Sequence, residues 1–229
     1  MIRAACLLSC LAVPAAAQAP QTFTLPQGCD AFLTVQSRSC TVDHHFTCTG
    51  EPEGVKHRVS LDETGVTYLG STDAETQWLT SFHALLDQSE RLEDDPADRA
   101  SLTELLETGV DTYDFRTLSD QSGATRYMGY DRLTGDLVTI DDVTLHQTEY
   151  QITAFAPDGT ELWSSGGNEY VSDRWRVFFG GVSTITVPGD SFEEDSSPVE
   201  FLYPGEPGFL SANPKYDCGA TMSSLRRAP

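Results

Sequence analysis

Apolar and polar side chains alternate with a period of two over most of this chain. Short alternating runs separated by turn residues are the pattern of a sheet with two unlike faces. Residues 31–36 (AFLTVQ) read as a strand and residues 37–39 as a turn. Residues 40–49 then put Cys40, Val42, His44, Phe46 and Cys48 on one face, and Thr41, Asp43, His45, Thr47 and Thr49 on the other. His57, Val59 and Leu61 lead through Asp62-Glu63-Thr64-Gly65 into a returning run at 66–69, a hairpin whose glycine suits a positive φ. The second half repeats the pattern: residues 113–118, 126–131, 136–140, 144–156, 160–163 and 174–187 read as strands. Thr134-Gly135, Asp141-Asp142 and Pro157-Asp158-Gly159 are turn material between them.

The middle breaks the alternation. Residues 74–92 carry helical spacing around Trp78, Phe82, Leu85 and Leu86, leaving strand and helix both open. Ser101-Leu102-Thr103-Glu104 is a capping box; Leu102, Leu105 and Leu106 form a short apolar stripe and Gly109 ends the helix. From Asp190 the chain turns acidic and Pro-rich, which predicts a long loop crossing the sheet and tied down by Cys218. The fold expected is mainly β: an antiparallel meander forming a curved sheet or open half-barrel, with one or two short helices.

The N-terminus sets the expected compartment. Arg3 is the only charge before Asp30, residues 4–13 are apolar, and Pro14 precedes the small run Ala15-Ala16-Ala17. This reads as a secretory signal peptide cleaved near Ala17. The apolar run is too short to span a bilayer, which takes about 20 residues. Cys10 would be the acceptor in an alternative lipoprotein reading, but only nine residues precede it. The domain expectation is a signal at 1–17, a flexible segment at 18–28, one disulfide-stapled β domain at 29–218 and a mobile tail at 219–229.

Four cysteines then remain, Cys29, Cys40, Cys48 and Cys218, and an even count behind a secretory signal predicts two disulfides. If residues 40–48 form one strand, its ends lie about 26 Å apart, far beyond the reach of a bridge. A hairpin turning near Arg38 puts Cys29 opposite Cys48 and leaves Cys40 for Cys218. The net charge of −21 excludes nucleic acid as a partner, because phosphate binding needs clustered Lys and Arg.

Candidate chemistry is sparse. His44 and His45 are adjacent on a strand and point to opposite faces, so they cannot chelate one ion; His44 is expected on the inner face and His45 outside. None of the acidic clusters has the spacing of a calcium loop, leaving only a loose surface site at 190–195. Neither G-x-S-x-G nor S-x-x-K occurs, and Gly166-Gly167 and Gly180-Gly181 lack the setting of a phosphate cradle. No cofactor motif is found. Residues 126–137 (RYMGYDRLTGDL) match one YD-repeat hairpin, but no second copy exists.

The aromatic residues are more suggestive. Tyr150 and Ile152 share a strand face, Trp163 lies on the next strand, and Trp175 and Phe179 share a face beyond it; in a curved sheet these five could line an apolar ligand pocket. The stretch 149–179, with the later SPVEFLYPGEPGF, resembles uncharacterised exported proteins of alphaproteobacteria. The resemblance covers two thirds of the mature chain; it implies a periplasmic address and assigns no functional residues. The function expected is that of a non-catalytic envelope protein binding a small apolar ligand or a protein partner. A structural module with a filled core and a hydrolase with an unrecognised site are the alternatives.

Overall fold

The computed structural model describes residues 21–219, and the expected signal peptide and most of the tail lie outside them. The first hairpins are β1 (Cys29–Ser37), β2 (Thr41–Cys48), β3 (Lys56–Asp62) and β4 (Gly65–Thr72). Next come β5 (Trp78–His83), a 3-10 turn (Ala84–Leu86), β6 (Gln88–Leu92) and the helix α1 (Leu102–Thr108). The second half is β7 (Val110–Ser119), β8 (Gly123–Ile140), β9 (Val143–Phe155), β10 (Glu161–Ser172) and β11 (Val177–Val187). Two short strands close the chain, β12 (Asp190–Asp195) and β13 (Pro198–Leu202). All pairings are antiparallel and follow chain order from β1 to β12, while β13 returns to pair with β1.

The two edge strands of this thirteen-stranded sheet are thus consecutive in sequence. β12 pairs only with β11 and β13 only with β1, so no ladder closes the sheet. Only Ser196 and Ser197 separate them, and both sides reach into this step: Ser196 N donates to Gly181 O at 2.9 Å, and Arg38 N to Ser197 O at 2.9 Å. The last strand therefore switches partners halfway along and draws the two edges of the sheet together. The region expected to be a long loop supplies this switch.

The ends and outer face are covered by short segments. α1 starts at Ser101, whose side chain accepts from Glu104 N, and stops at Gly109 in the left-handed region. Its Leu102 and Leu105 pack on Val171 and Phe178, plugging one end of the roll. Glu75, before β5, accepts from Thr103 N, and Arg176, before β11, donates to Glu75 Oε1 at 2.9 Å. Three connections are thereby locked across that end. Outside β1–β3, Phe23 and Leu25 join Ala212 over Val42, Phe46, Val59 and Leu61. The Thr22–Ser211 bridge orders part of the segment expected to be flexible.

One open segment is resolved and one local expectation changes. Residues 78–92 form two strands around the 3-10 turn, because every other side chain faces a sheet neighbour. Thr134-Gly135 is an irregularity inside the 18-residue β8, not a turn. Asp141-Asp142 is a turn with both φ positive, the form that fits the twist of a hairpin.

Cys29 is bonded to Cys48 across the β1–β2 ladder, and Cys40 to Cys218. The second bridge spans 178 residues, against 19 for the first. Chain entropy then makes Cys40–Cys218 worth about 5 kcal/mol and Cys29–Cys48 about 3 kcal/mol. Urea unfolding of the C40S/C218S and C29S/C48S double variants should show the larger loss in the former.

Candidate functional site

Inside the roll lies a cavity of about 970 Å³ to which every strand from β1 to β12 contributes. Its walls are the inward side chains of the alternation, and they are not uniformly apolar. Towards the hairpin end lies an aromatic shelf. Tyr127 stacks on Phe115 at 5.4 Å, Trp78 stands edge-on to both at 5.3 and 5.6 Å, and Trp163 lies 6.1 Å from Tyr127. Beneath it the buried Glu90 accepts from Thr117 Oγ1 and Gln88 Nε2.

Charged groups line the lumen towards the end plugged by α1. Arg58 and Gly70 are direct partners across β3 and β4. Gly70 leaves a gap that the Tyr68 ring fills; a Cβ there would fall 2.1 Å from the Tyr68 hydroxyl oxygen. The Arg58 guanidinium rests on that ring at 4.8 Å from its centroid, within the range of a cation–π contact. Among the described residues no carboxylate oxygen comes within 4.0 Å of its nitrogens. A guanidinium cannot shed its proton, so the charge stays, open to the cavity.

Facing it are Asp131 on β8 and Glu169 on β10, both lining the cavity. No hydrogen bond joins either carboxyl to another described side chain. Burial, and then the charge of Asp111, raise Asp131 to about 7; burial, and then the charge of Asp131, raise Glu169 to about 8, against which Arg58 acts only in part. Asp111, paired with Asp131, is raised to about 6 by burial although Ser101 N donates to it at 2.9 Å. On the β2 wall, burial raises Asp43 despite Arg58 and Ser60, and pushes His45 down to about 3, keeping the imidazole neutral.

Of the five residues expected to line a pocket, the structure brings together Tyr150, Ile152 and Trp163. Trp175 and Phe179 lie elsewhere, with Leu33, Val35 and Phe201 where the ends of the sheet meet. For Phe179 the cause is a bulge. Gly167 pairs with Ser183, but Glu169 pairs with Gly180 rather than Gly181, so β11 changes phase and Phe178, not Phe179, faces inward. The glycine pairs make room for it: a Cβ on Gly181 would meet Asn168, and one on Gly167 the Val182 carbonyl.

The histidines do point to opposite faces, but with the faces exchanged. His45 looks into the lumen, while His44 faces the outer layer, hydrogen-bonded to Thr34 at 2.9 Å and stacked on Phe23. Both are buried, because the terminal segments cover the outside of β2. Residues 190–195 form β12 and not a calcium loop. Sequence reasoning does not single out Arg58, Asp131 and Glu169; the one available signal is the pairing of Asp131 with Tyr150 and the alternation of Arg58 with Val59, and using it requires knowing which face is inside.

Outward side chains of β7–β9 carry ion pairs, Arg126 with Asp114 and Arg132 with Glu149, where a lipid-facing barrel is apolar. The fold and site thus define a rolled antiparallel sheet around a charged and aromatic lumen. No protein-family model, curated protein or solved structure matches the chain.

For carboxyls raised in the folded state, the unfolded chain releases its protons first, so stability falls as pH rises out of the ordinary carboxylate range. E169Q and D131N remove this liability. Each should exceed wild type at pH 8 by about 1 kcal/mol or more, roughly 2–4 °C in Tm, with little difference at pH 4. Thermal unfolding across pH checks this, and parallel profiles for wild type and variants would refute the burial of the pair.

Proposed function

We propose that this protein is an exported binding protein that holds one small amphiphilic molecule in the lumen of its rolled sheet. The observation that carries the reading is the cavity of about 970 Å³, a size suited to a small organic ligand, lined by rings on one side and charges on the other. The ligand expected from sequence was apolar. Such a molecule would leave Arg58, Asp131 and Glu169 dry and unpaired, at a cost that a polar head group avoids. Two disulfides suggest an oxidising compartment. Together with the signal-like N-terminus and the resemblance to exported alphaproteobacterial proteins, they support a periplasmic address.

Protein exported to a bacterial periplasm and sprayed under native conditions should carry an adduct of a few hundred daltons that denaturation releases. Ser165→Trp, which adds a large ring to the lumen wall, should abolish the adduct while keeping the fold. A bare mass, with no thermal shift on adding amphiphiles of any charge, would defeat the reading.

A further inference from the structure

Resting on that reading, we propose that the occupant is a carboxylate amphiphile whose head group is held by Arg58 and whose apolar body runs along the aromatic shelf. Arg58 is the group in the lumen whose charge is permanent and has no carboxylate oxygen within 4.0 Å among the described residues. Its position is built. The missing side chain of Gly70 admits the Tyr68 ring, and that ring carries the guanidinium at 4.8 Å where Arg58 lines the cavity. A planar guanidinium fork matches a carboxylate, which it can engage through two parallel hydrogen bonds.

Two lumen carboxyls add donors to those of Arg58. Asp131 and Glu169 line the same space; burial raises both, helped by Asp111 at Asp131 and by Asp131 at Glu169, so that in mildly acidic solution both are protonated. In that form each offers an O–H donor to an anion. The polarity of the lumen also has a direction. Arg58 is the third residue of β3 and Asp131 pairs with the second residue of β7, so both lie at the end plugged by α1. Tyr127, Phe115 and Trp163 lie further along the strands, towards the opposite hairpins. A head group at the blind end and a chain along the rings satisfies both regions at once.

Calorimetry with four twelve-carbon probes separates the possibilities: dodecanoate, dodecyl phosphate, dodecanol and dodecylammonium. Mildly acidic buffer keeps the carboxyl pair protonated. Dodecanoate should bind, with dodecanol and dodecylammonium at least tenfold weaker. R58Q should weaken dodecanoate about 30-fold, the loss expected for one charge-assisted bidentate contact, and leave dodecanol unchanged. Gly70→Val, which evicts Tyr68 from its place, should reproduce that selective loss with Arg58 still present. If both variants fail to fold, the ranking of the four probes on the wild-type protein still decides. Dodecylammonium binding as tightly as dodecanoate would overturn the anionic head group and leave the binding lumen standing. Dodecyl phosphate binding more than tenfold tighter than dodecanoate would overturn the carboxylate assignment and keep the anion site. Failure of all four would overturn both readings.

Discussion

Pairing of the last strand with both margins of the sheet is the constraint on which the molecule rests. A long antiparallel sheet ends in two rows of unpaired N–H and C=O groups, which invite association with other chains. Here β12 covers part of one margin and β13 part of the other, and only Ser196 and Ser197 lie between them. Because those two residues also hydrogen-bond to Gly181 and Arg38, the step is held from both sides. The remaining strands have to curve, and the curve encloses the lumen. Cys40–Cys218 then ties the C-terminal segment covalently to the turn between β1 and β2.

Glycine lets the strands approach closely at the β10–β11 bulge. At Gly167 and Gly181 a side chain would collide with backbone or with Asn168, and Asn168 Oδ1 accepts from Val182 N at 3.2 Å to hold the bulge. This irregularity has a chemical consequence. It turns Phe178 inward against α1 and sends Phe179 to the seam with Phe201, so one extra residue fills both the plug and the seam. Gly70 works differently, by giving up its own volume to a neighbour's ring. Pleat geometry and glycine placement decide which polar groups the lumen keeps.

Much of this was legible in the alternation, for physical reasons that also set its limits. Turn residues and a period of two are local, so the meander, the α1 cap at Ser101 and the β1–β2 hairpin could be read directly. The pairing of Cys29 with Cys48 followed from reach along one strand. Alternation states that two faces differ, however, and not which one is inside. In β2 both faces are buried, because residues 21–25 and 210–213 cover the outer one, and His44 and His45 were assigned to the wrong sides. A phase change such as that at Gly167 is invisible without the partner strand, which misplaced Phe179, while Trp175 lies in the turn before β11. β12 reads DSFEED, with one apolar residue in six; it is a strand because an edge needed covering, which no local signal records.

Charge is sorted by the same wall that sorts hydrophobicity. Thirty-five acids, against fourteen Lys and Arg, give the chain its net charge of −21, and most of them face water. The few enclosed carboxyls face a different balance: at Glu169 burial outweighs the help that Arg58 provides, and at Asp131 burial and the Asp111 charge act together, so both shift towards the neutral form. The interior is thus less negative than the surface. An anion approaching from outside meets a repulsive field, but at physiological salt that field decays over about 8 Å, so it slows arrival more than it weakens the bound state. A small inorganic anion has only the attraction of Arg58 to set against dehydration. An amphiphile adds burial of its chain against Trp78, Phe115 and Trp163, worth about 0.8 kcal/mol per methylene, and it is this added apolar term that lets an anion settle inside so acidic a protein.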